Sequence, residues 1–405
     1  MLARMSVMPQ GTGPVPPGPD PSSLRAAVDA RLPAALTALA SWVEINSFTG
    51  NVGGCDQVAD ALLAAFALPG LGLERRAGVG GGDHVVVTTP AWHTPGARRL
   101  LLVGHHDTVF PPGTFTGYRV DPDGVRARGP GVLDMKGGLA VIWAALAALS
   151  DLGLLAALPL ALVSVADEET GSVDSSRLTE ELARGAAAAL VFEAGRSNDA
   201  LVVRRKGTGK LTVDAVGRAA HAGNDLAAGR NAIVALAELV LAAHALARPD
   251  QGLTVNAGLI SGGTSANTVP AAASCQFDLR FVASADGRAW IDAVRARAAE
   301  ISARTEVGLT LSGGVRRWAL ECSPASEALA EAYGGCARAE GLGAGLAPLA
   351  GGGSDANTVA AVGVPVIDGL GPRGRGFHTH DEYIELTTVG QRARALARFL
   401  AAWAP

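Results

Sequence analysis

The chain has 405 residues, room for two domains or one large elaborated one at roughly 150 residues per domain. Hydrophobic residues make up 48% and charged residues 18%, which excludes a disordered tail protein and implies a large buried core. A net charge of −4 gives no strong field toward nucleic acid or an anionic membrane, so neither is expected as a partner.

Residues 1–22 are rich in Pro and Gly and read as a disordered lead without the apolar run of a signal peptide. Cys55, Cys275, Cys322 and Cys336 are scattered, with no CxxC pair, and a cytoplasmic location is expected. Apolar residues at four-residue spacing (Leu24, Val28, Leu32, Leu36) predict a helix over 23–42, and a second helix follows at 56–66. Strands are predicted at 84–88 and 99–103, the latter running into GHHDTV. Residues 137–166 are almost wholly apolar and long enough to cross a membrane. Asp151 and Pro159 cut that run, so it reads as a buried helix feeding a buried strand at 160–165. Helix and strand alternate through residue 193, which predicts an α/β domain with a mainly parallel sheet.

The middle of the chain changes character. Strands at 210–216, 253–260, 275–281 and 307–311, with helices at 231–247 and 287–303, run in the order β-α-β-β-α-β of a ferredoxin-like unit. After about residue 320 the alternation resumes and ends in a helix over 388–403. The expected organisation is a lead (1–22), a catalytic domain in two parts (23–206 and 318–405) and an inserted α+β domain (207–317).

Several apolar strands end in imidazole or carboxylate, and ligands of open α/β sheets collect at such ends. LLVGHHDTV places His105 and Asp107 on one face of its strand and His106 on the other. A histidine with a carboxylate two residues on suits a metal ligand and the group that orients it. Asp134 stands before a Gly-Gly turn that opens the apolar helix. LVSVADEETGS ends in Asp167, Glu168 and Glu169, acids that repel one another unless a cation is near. LVFEAG ends in Glu193, and GRGFHTHDEY carries His378 and His380. Imidazole and carboxylate without cysteine favour a metal such as zinc, and a carboxylate left over can bridge two ions that activate water.

Three other motifs fail on inspection. RKGTGKLT (205–212) is preceded by Arg204 where a phosphate loop needs its first glycine, and has Leu211 where it needs Ser or Thr. GTSAN at 263–267 lacks the last glycine of a nucleophile elbow. AGVGGGDH is too loose for a dinucleotide fingerprint.

Taken in order, GHHDTV, GPGVLDMKGG, DEETGS, FE and GFHTHDEY resemble the co-catalytic zinc family of aminoacylases, acetylornithine and succinyl-diaminopimelate deacylases and glutamate carboxypeptidases. The match is closest to the glutamate carboxypeptidase branch. The resemblance implies a zinc-exopeptidase-like α/β domain with an inserted ferredoxin-like dimerisation domain, hence a homodimer. It implies two Zn2+ ions per chain, with Co2+ or Mn2+ as substitutes. Asp134 would bridge them, His105 and Glu193 would complete one site, and Glu169 and His378 the other, with His380 the alternative to His378. Glu168 would be the general base and Asp107 the residue orienting His105, and a cis peptide is implied at Asp134–Met135. GRAAHAG, TSANTVP and FDLRF resemble family segments in which His221 reaches a partner's active site and Asn267 and Arg280 hold the substrate carboxylate. GGGSDAN brings Gly353 to the ligand.

The expected activity is metal-dependent cleavage of an amide beside an amino acid with a free carboxylate, in a peptide or an N-acyl amino acid. A biosynthetic deacylase is the alternative. A non-catalytic ligand-binding relative is a third reading, against which the retained Glu168 speaks.

Overall fold

The computed structural model describes residues 20–403. Most of the expected lead therefore lies outside the described residues, and its end is already helical. The first helix, Pro21–Glu44, starts two residues earlier than predicted because Asp20 caps it, accepting the Ser23 N–H at 3.2 Å. The second, Val52–Ala65, likewise starts early, behind the cap Asn51.

Six strands form the central sheet. Leu160–Val165, Leu100–His105, Ala188–Val191 and Val366–Ile367 run parallel, and His84–Thr88 and Gly72–Arg76 extend one edge antiparallel. The parallel strands are buried on both faces, which explains their unbroken apolar sequences. Leu100 and Leu102 pack into the cluster formed with the long helices, whereas Leu101 and Val103 pack into a second cluster with Ala356 and Val359. The apolar helix Gly137–Asp151 lies inside the first cluster, so the segment long enough to span a bilayer is core.

Register sets the level of the strand ends. His105 pairs with Val165, and Val103 pairs with Val163 and Val191. Glu168, Glu169 and Glu193 follow within a few residues of those ends, so the acids emerge on the same edge. A small antiparallel sheet that the sequence did not announce (Gly374–Arg375, Tyr383–Glu385, Arg126–Arg128, Arg119–Val120) holds residues 376–382 against that edge.

Residues 207–317 form the second sheet, from Gly207–Val216, Thr254–Gly262, Ala272–Phe281 and Gly308–Arg317, with helices Ala232–Ala245 and Ser284–Thr305. Its strands lie in the order fourth, first, third, second, all antiparallel, which is the ferredoxin-like arrangement. Both helices cover one face, where Leu211, Val213, Phe277 and Leu279 meet Leu236, Leu239, Trp290 and Val294. The last strand continues six residues beyond its predicted end. Its Ser-Gly-Gly reads locally as a turn, but backbone pairing with Gly207–Val216 keeps it extended to Arg317. The two connections to the larger unit are joined by Arg205 and Leu320, which exchange backbone hydrogen bonds of 3.1 and 3.0 Å.

One carboxylate ties three helices of the larger unit. Glu340, at the end of Pro324–Ala339, is buried and accepts from Arg25 (2.8 Å), Arg394 (2.9 Å) and Arg398. Its partners reach solvent and can rehydrate, so Glu340→Ala is expected to cost about 2–3 kcal/mol rather than the full penalty of a broken buried pair. Urea unfolding followed by circular dichroism checks this; an unchanged midpoint would remove the cluster from the stabilising contacts.

Candidate metal centre and active site

The site is built where the parallel strands end. His105, the last residue of its strand, is buried and directs Nε2 at Asp134 Oδ1 (3.2 Å) and Glu193 Oε1 (3.7 Å). His378 Nε2 lies 3.3 Å from the other Asp134 oxygen, Oδ2, and 3.1 Å from Glu169 Oε2. Two trios result, His105–Asp134–Glu193 and Asp134–Glu169–His378, each with ligand atoms within 4.8 Å of one another. Asp134 belongs to both and offers one oxygen to each. Nitrogen and carboxylate donors in that number suit zinc or a similar borderline ion, and each trio leaves space for water or substrate. The residues present therefore fit a pair of cations bridged by one carboxylate.

Charge explains why such a centre needs metal. Burial pushes the Glu193 carboxyl well above its ordinary value and Glu168 up to about 8, with neighbouring acids adding to both. Hydrogen bonds to Asp134 and Glu169 push the His378 imidazole up to about 10. Asp134 is also opposed by burial, but its bonds to His105 and His378 hold it well below the carboxylate range. Acids raised and imidazoles raised together form a set short of positive charge.

Two further buried carboxylates position the donors. Asp107 meets His105 Nδ1 with its backbone carbonyl at 3.1 Å and its carboxylate at 3.4 Å, and the carboxylate accepts the backbone N–H groups of Glu168 (3.1 Å) and Glu169 (3.2 Å) and the Thr49 hydroxyl (2.7 Å). It thus fixes one imidazole and the acidic loop at once. Glu382 accepts the N–H groups of Gly131 (3.1 Å), Leu133 (2.8 Å) and Asp134 (3.0 Å), four residues after His378. Gly131 opens this loop at φ 72°, and a Cβ there would meet Thr108 Cγ2 at 2.5 Å. The Asp134–Met135 peptide is cis. Beyond it, the buried Lys136 donates to the carbonyls of Trp42 (2.9 Å) and Ile45 (3.1 Å), anchoring the loop to the end of the first helix.

Glu168 belongs to neither trio. Its Oε1 is held at 2.8 Å by Arg317 Nη2, and Arg317 also binds Asp355 Oδ1 (2.9 Å) and the Ser172 hydroxyl (2.9 Å). Gly353 stands beside this arginine, where an added Cβ would lie 2.9 Å from Arg317 Cδ. The glycine loop 351–353, Arg317's neighbour, lines a cavity of about 820 Å³ with Asp134, Glu168, Glu169, Glu193 and His378.

The remaining candidates lie elsewhere. His380 does not reach Asp134 but packs against the rings of Phe110 and Phe115. His221 and Asn267 sit together on the inserted unit, where Ala222 N–H donates to the Asn267 carbonyl at 2.9 Å, and neither lines the cavity within one chain. Arg280 is on the sheet face that the helices leave open, paired with Asp278 at 2.9 Å, and is also outside the cavity lining. Arg317, Asp355, Arg196 and Glu382 escaped sequence reasoning. Two of them carried a signal, Glu382 as an acid inside HTHDEY and Asp355 as the acid of GGGSDAN.

A mainly parallel α/β sheet whose strand ends gather two imidazole–carboxylate trios and a spare carboxylate defines a metal-dependent hydrolase. The chain belongs to peptidase family M20/M25/M40, whose model matches residues 101–402. It is 30% identical over 373 residues to carboxypeptidase G2 of Pseudomonas sp. (strain RS-16), covering 91% of this chain and 89% of that one. It is 31% identical over 341 residues to the succinyl-diaminopimelate desuccinylase of Xanthomonas oryzae pv. oryzae, covering 76% and 85%. The fold is similar to aminopeptidase PepT of Bacillus cereus, with TM-score 0.74, 21% identity and coverage of 92% of this chain and 99% of that one. An M20 family metallo-carboxypeptidase of Sulfolobus solfataricus matches with TM-score 0.67 and 17% identity over 91% and 99% of the two chains. The protein is thus a hydrolytic enzyme of a metal-dependent peptidase family.

Glu382→Gln keeps an acceptor oxygen for Leu133 and Asp134 but sets an amide N–H against the Gly131 N–H, and because Glu382 holds Asp134 through backbone rather than through a ligand atom the loosened loop should weaken metal binding about 10–100-fold. Competition against a chelator reads the affinity directly; unchanged affinity would make Glu382 a purely structural residue.

Proposed function

We propose that the protein is a dinuclear zinc amidohydrolase that cleaves the bond between an acyl or peptidyl group and an amino acid with a free α-carboxylate, in the manner of a glutamate carboxypeptidase. The observation that carries this reading is the pair of trios sharing Asp134 beside a carboxylate, Glu168, that ligates neither. His105, Asp134 and Glu193 would hold one ion and Asp134, Glu169 and His378 the other; such ions polarise a carbonyl and lower the pKa of water. Glu168 takes the proton from the attacking water and delivers it to the amide nitrogen, which leaves as a free amine. Burial favours a protonated Glu168 and Arg317 favours its anion, so the residue is suited to carrying a proton between the two. Asp107 keeps the His105 ring in place.

Arg280 and Asn267 would hold the α-carboxylate, Arg280 through its bidentate fork, and Gly353 lets the ligand approach the backbone. His221 would complete the partner's site by polarising the scissile carbonyl, so the enzyme would act as a homodimer through residues 207–317, with the catalytic domain in 23–206 and 318–405. In support, Thr254–Gly262 is an edge strand exposed almost throughout, with its Leu259 and Ile260 uncovered, and Val234 and Leu241 of the helix Ala232–Ala245 are exposed as well. The deacylase alternative is favoured by the similarity to a desuccinylase. Four unpaired cysteines suit a reducing, cytoplasmic setting.

Incubation with a mixed pool of dipeptides and N-acyl amino acids, read by mass spectrometry, should release free amino acid, and a chelator should abolish the release. Glu168→Ala should lower turnover by at least about 100-fold with bound metal unchanged; full turnover in this variant would sink the mechanism. Sedimentation should give a dimer that Leu259→Lys converts to a monomer with little activity, and a fully active monomer would refute the role of His221.

A further inference from the structure

The cavity beside the metal-ligand candidates is charged unevenly. Asp134, Glu168, Glu169 and Glu193 crowd one part of it, while Arg196, Arg205 and Arg375 line it as well. Arg205 is engaged, with Nε 2.7 Å from Asp368 Oδ2 and Nη1 3.1 Å from the Gly352 carbonyl. Arg196 is not. Its Nε is shut off from solvent without a hydrogen-bond partner, and it forms no ion pair among the described residues.

A guanidinium in that position is unfavourable by itself. It is half-buried, and burial together with the like charge of Arg205 holds its pKa below that of an ordinary arginine. The acids near enough to oppose this are committed elsewhere. Asp368 is bound by Arg205 and the Ser354 hydroxyl, and Asp134 and Glu193 face His105. The terminal Nη groups of Arg196 are likewise without a protein acceptor among the described residues, and an anion entering the cavity would pair with them; a planar guanidinium with free N–H groups matches a carboxylate best. Arg375, exposed on the same cavity and also without an ion pair among the described residues, adds to the attraction.

We propose that Arg196 anchors a second carboxylate of the substrate, making the enzyme selective for dianionic amides. The proposal rests on the hydrolase reading above, in which the α-carboxylate is already assigned to Arg280 and Asn267. The second carboxylate belongs either to the side chain of the released amino acid or to the acyl group, and the chemistry at Arg196 is the same in both.

The test is binding, in a Glu168→Ala background that leaves the amides whole. N-acetyl-L-glutamate against N-acetyl-L-glutamine probes the side chain, and N-succinyl-L-leucine against N-succinamoyl-L-leucine probes the acyl group. In one of the pairs the dianion should bind about 30-fold or more tightly than its neutral isostere, the loss expected when a desolvated charge partner is removed. Adding Arg196→Gln should bring that pair within about 3-fold, and Arg196→Lys should recover part of the difference. Absence of discrimination in both pairs, including absence of binding, overturns the proposal, as does discrimination that survives Arg196→Gln. Equal weakening of all four probes also overturns it, since Arg196 would then only balance the charge of the metal-binding acids. Hydrolysis is scored separately with Glu168 intact: if no probe is cleaved while the discrimination stands, the hydrolase reading fails and the anion site remains.

Discussion

Everything at the working end of this protein follows from holding four carboxylates together where water is scarce. Asp134, Glu168, Glu169 and Glu193 repel one another, and the fold tolerates them by fixing their backbone before their side chains meet. Asp107 does this for Glu168 and Glu169, accepting two backbone N–H groups, and Glu382 for Asp134, accepting three. These two acids are themselves buried, and the N–H groups that satisfy them belong to the loops they position. Rigidity and charge satisfaction are therefore the same set of hydrogen bonds.

Division of labour among the four acids follows from their neighbours. Asp134 lies between two imidazoles and Glu169 faces one, whereas Glu168 faces a guanidinium. A carboxylate facing Arg317 keeps its oxygens out of the donor trios, which is what a proton carrier requires. Arg317 ends the last strand of the inserted unit, so the element that leaves that unit touches the proposed base directly. Movement of one unit relative to the other would be felt at Glu168 through a single side chain. Arg205, on the other connection, is bonded to Asp368 and to the glycine loop in the same way. Both crossings between the units are thus pinned by arginines, Arg205 in the cavity lining and Arg317 on Glu168, which lines it.

The inserted unit shows the opposite balance. One sheet face and both helices form a closed core, yet the edge strand Thr254–Gly262 and much of the outer surface of Ala232–Ala245 remain uncovered. Exposed strand edges invite pairing with another chain unless they are blocked, and this one carries leucine and isoleucine in place of charge. A second copy would present an edge of the same length and composition.

Local sequence determined the parallel strands, the buried apolar helix, the β-α-β-β-α-β order and the candidate ligands, because each is a short pattern read by near neighbours. An apolar run ending in His105, in Glu168–Glu169 or in Glu193 announces both a strand and the chemistry at its end. Tertiary structure alone decided the rest. Gly308–Arg317 extends through a Ser-Gly-Gly because a distant strand supplies its hydrogen bonds. Glu382 meets Leu133 across 249 residues and Arg317 meets Glu168 across 149, separations at which no periodicity carries a signal. His378 and His380 differ by only two positions, yet one faces Asp134 and the other rests between phenylalanines. Arg196 looks like any loop arginine until the fold withholds a partner from it, since burial and pairing are properties of the assembled chain and not of its local order.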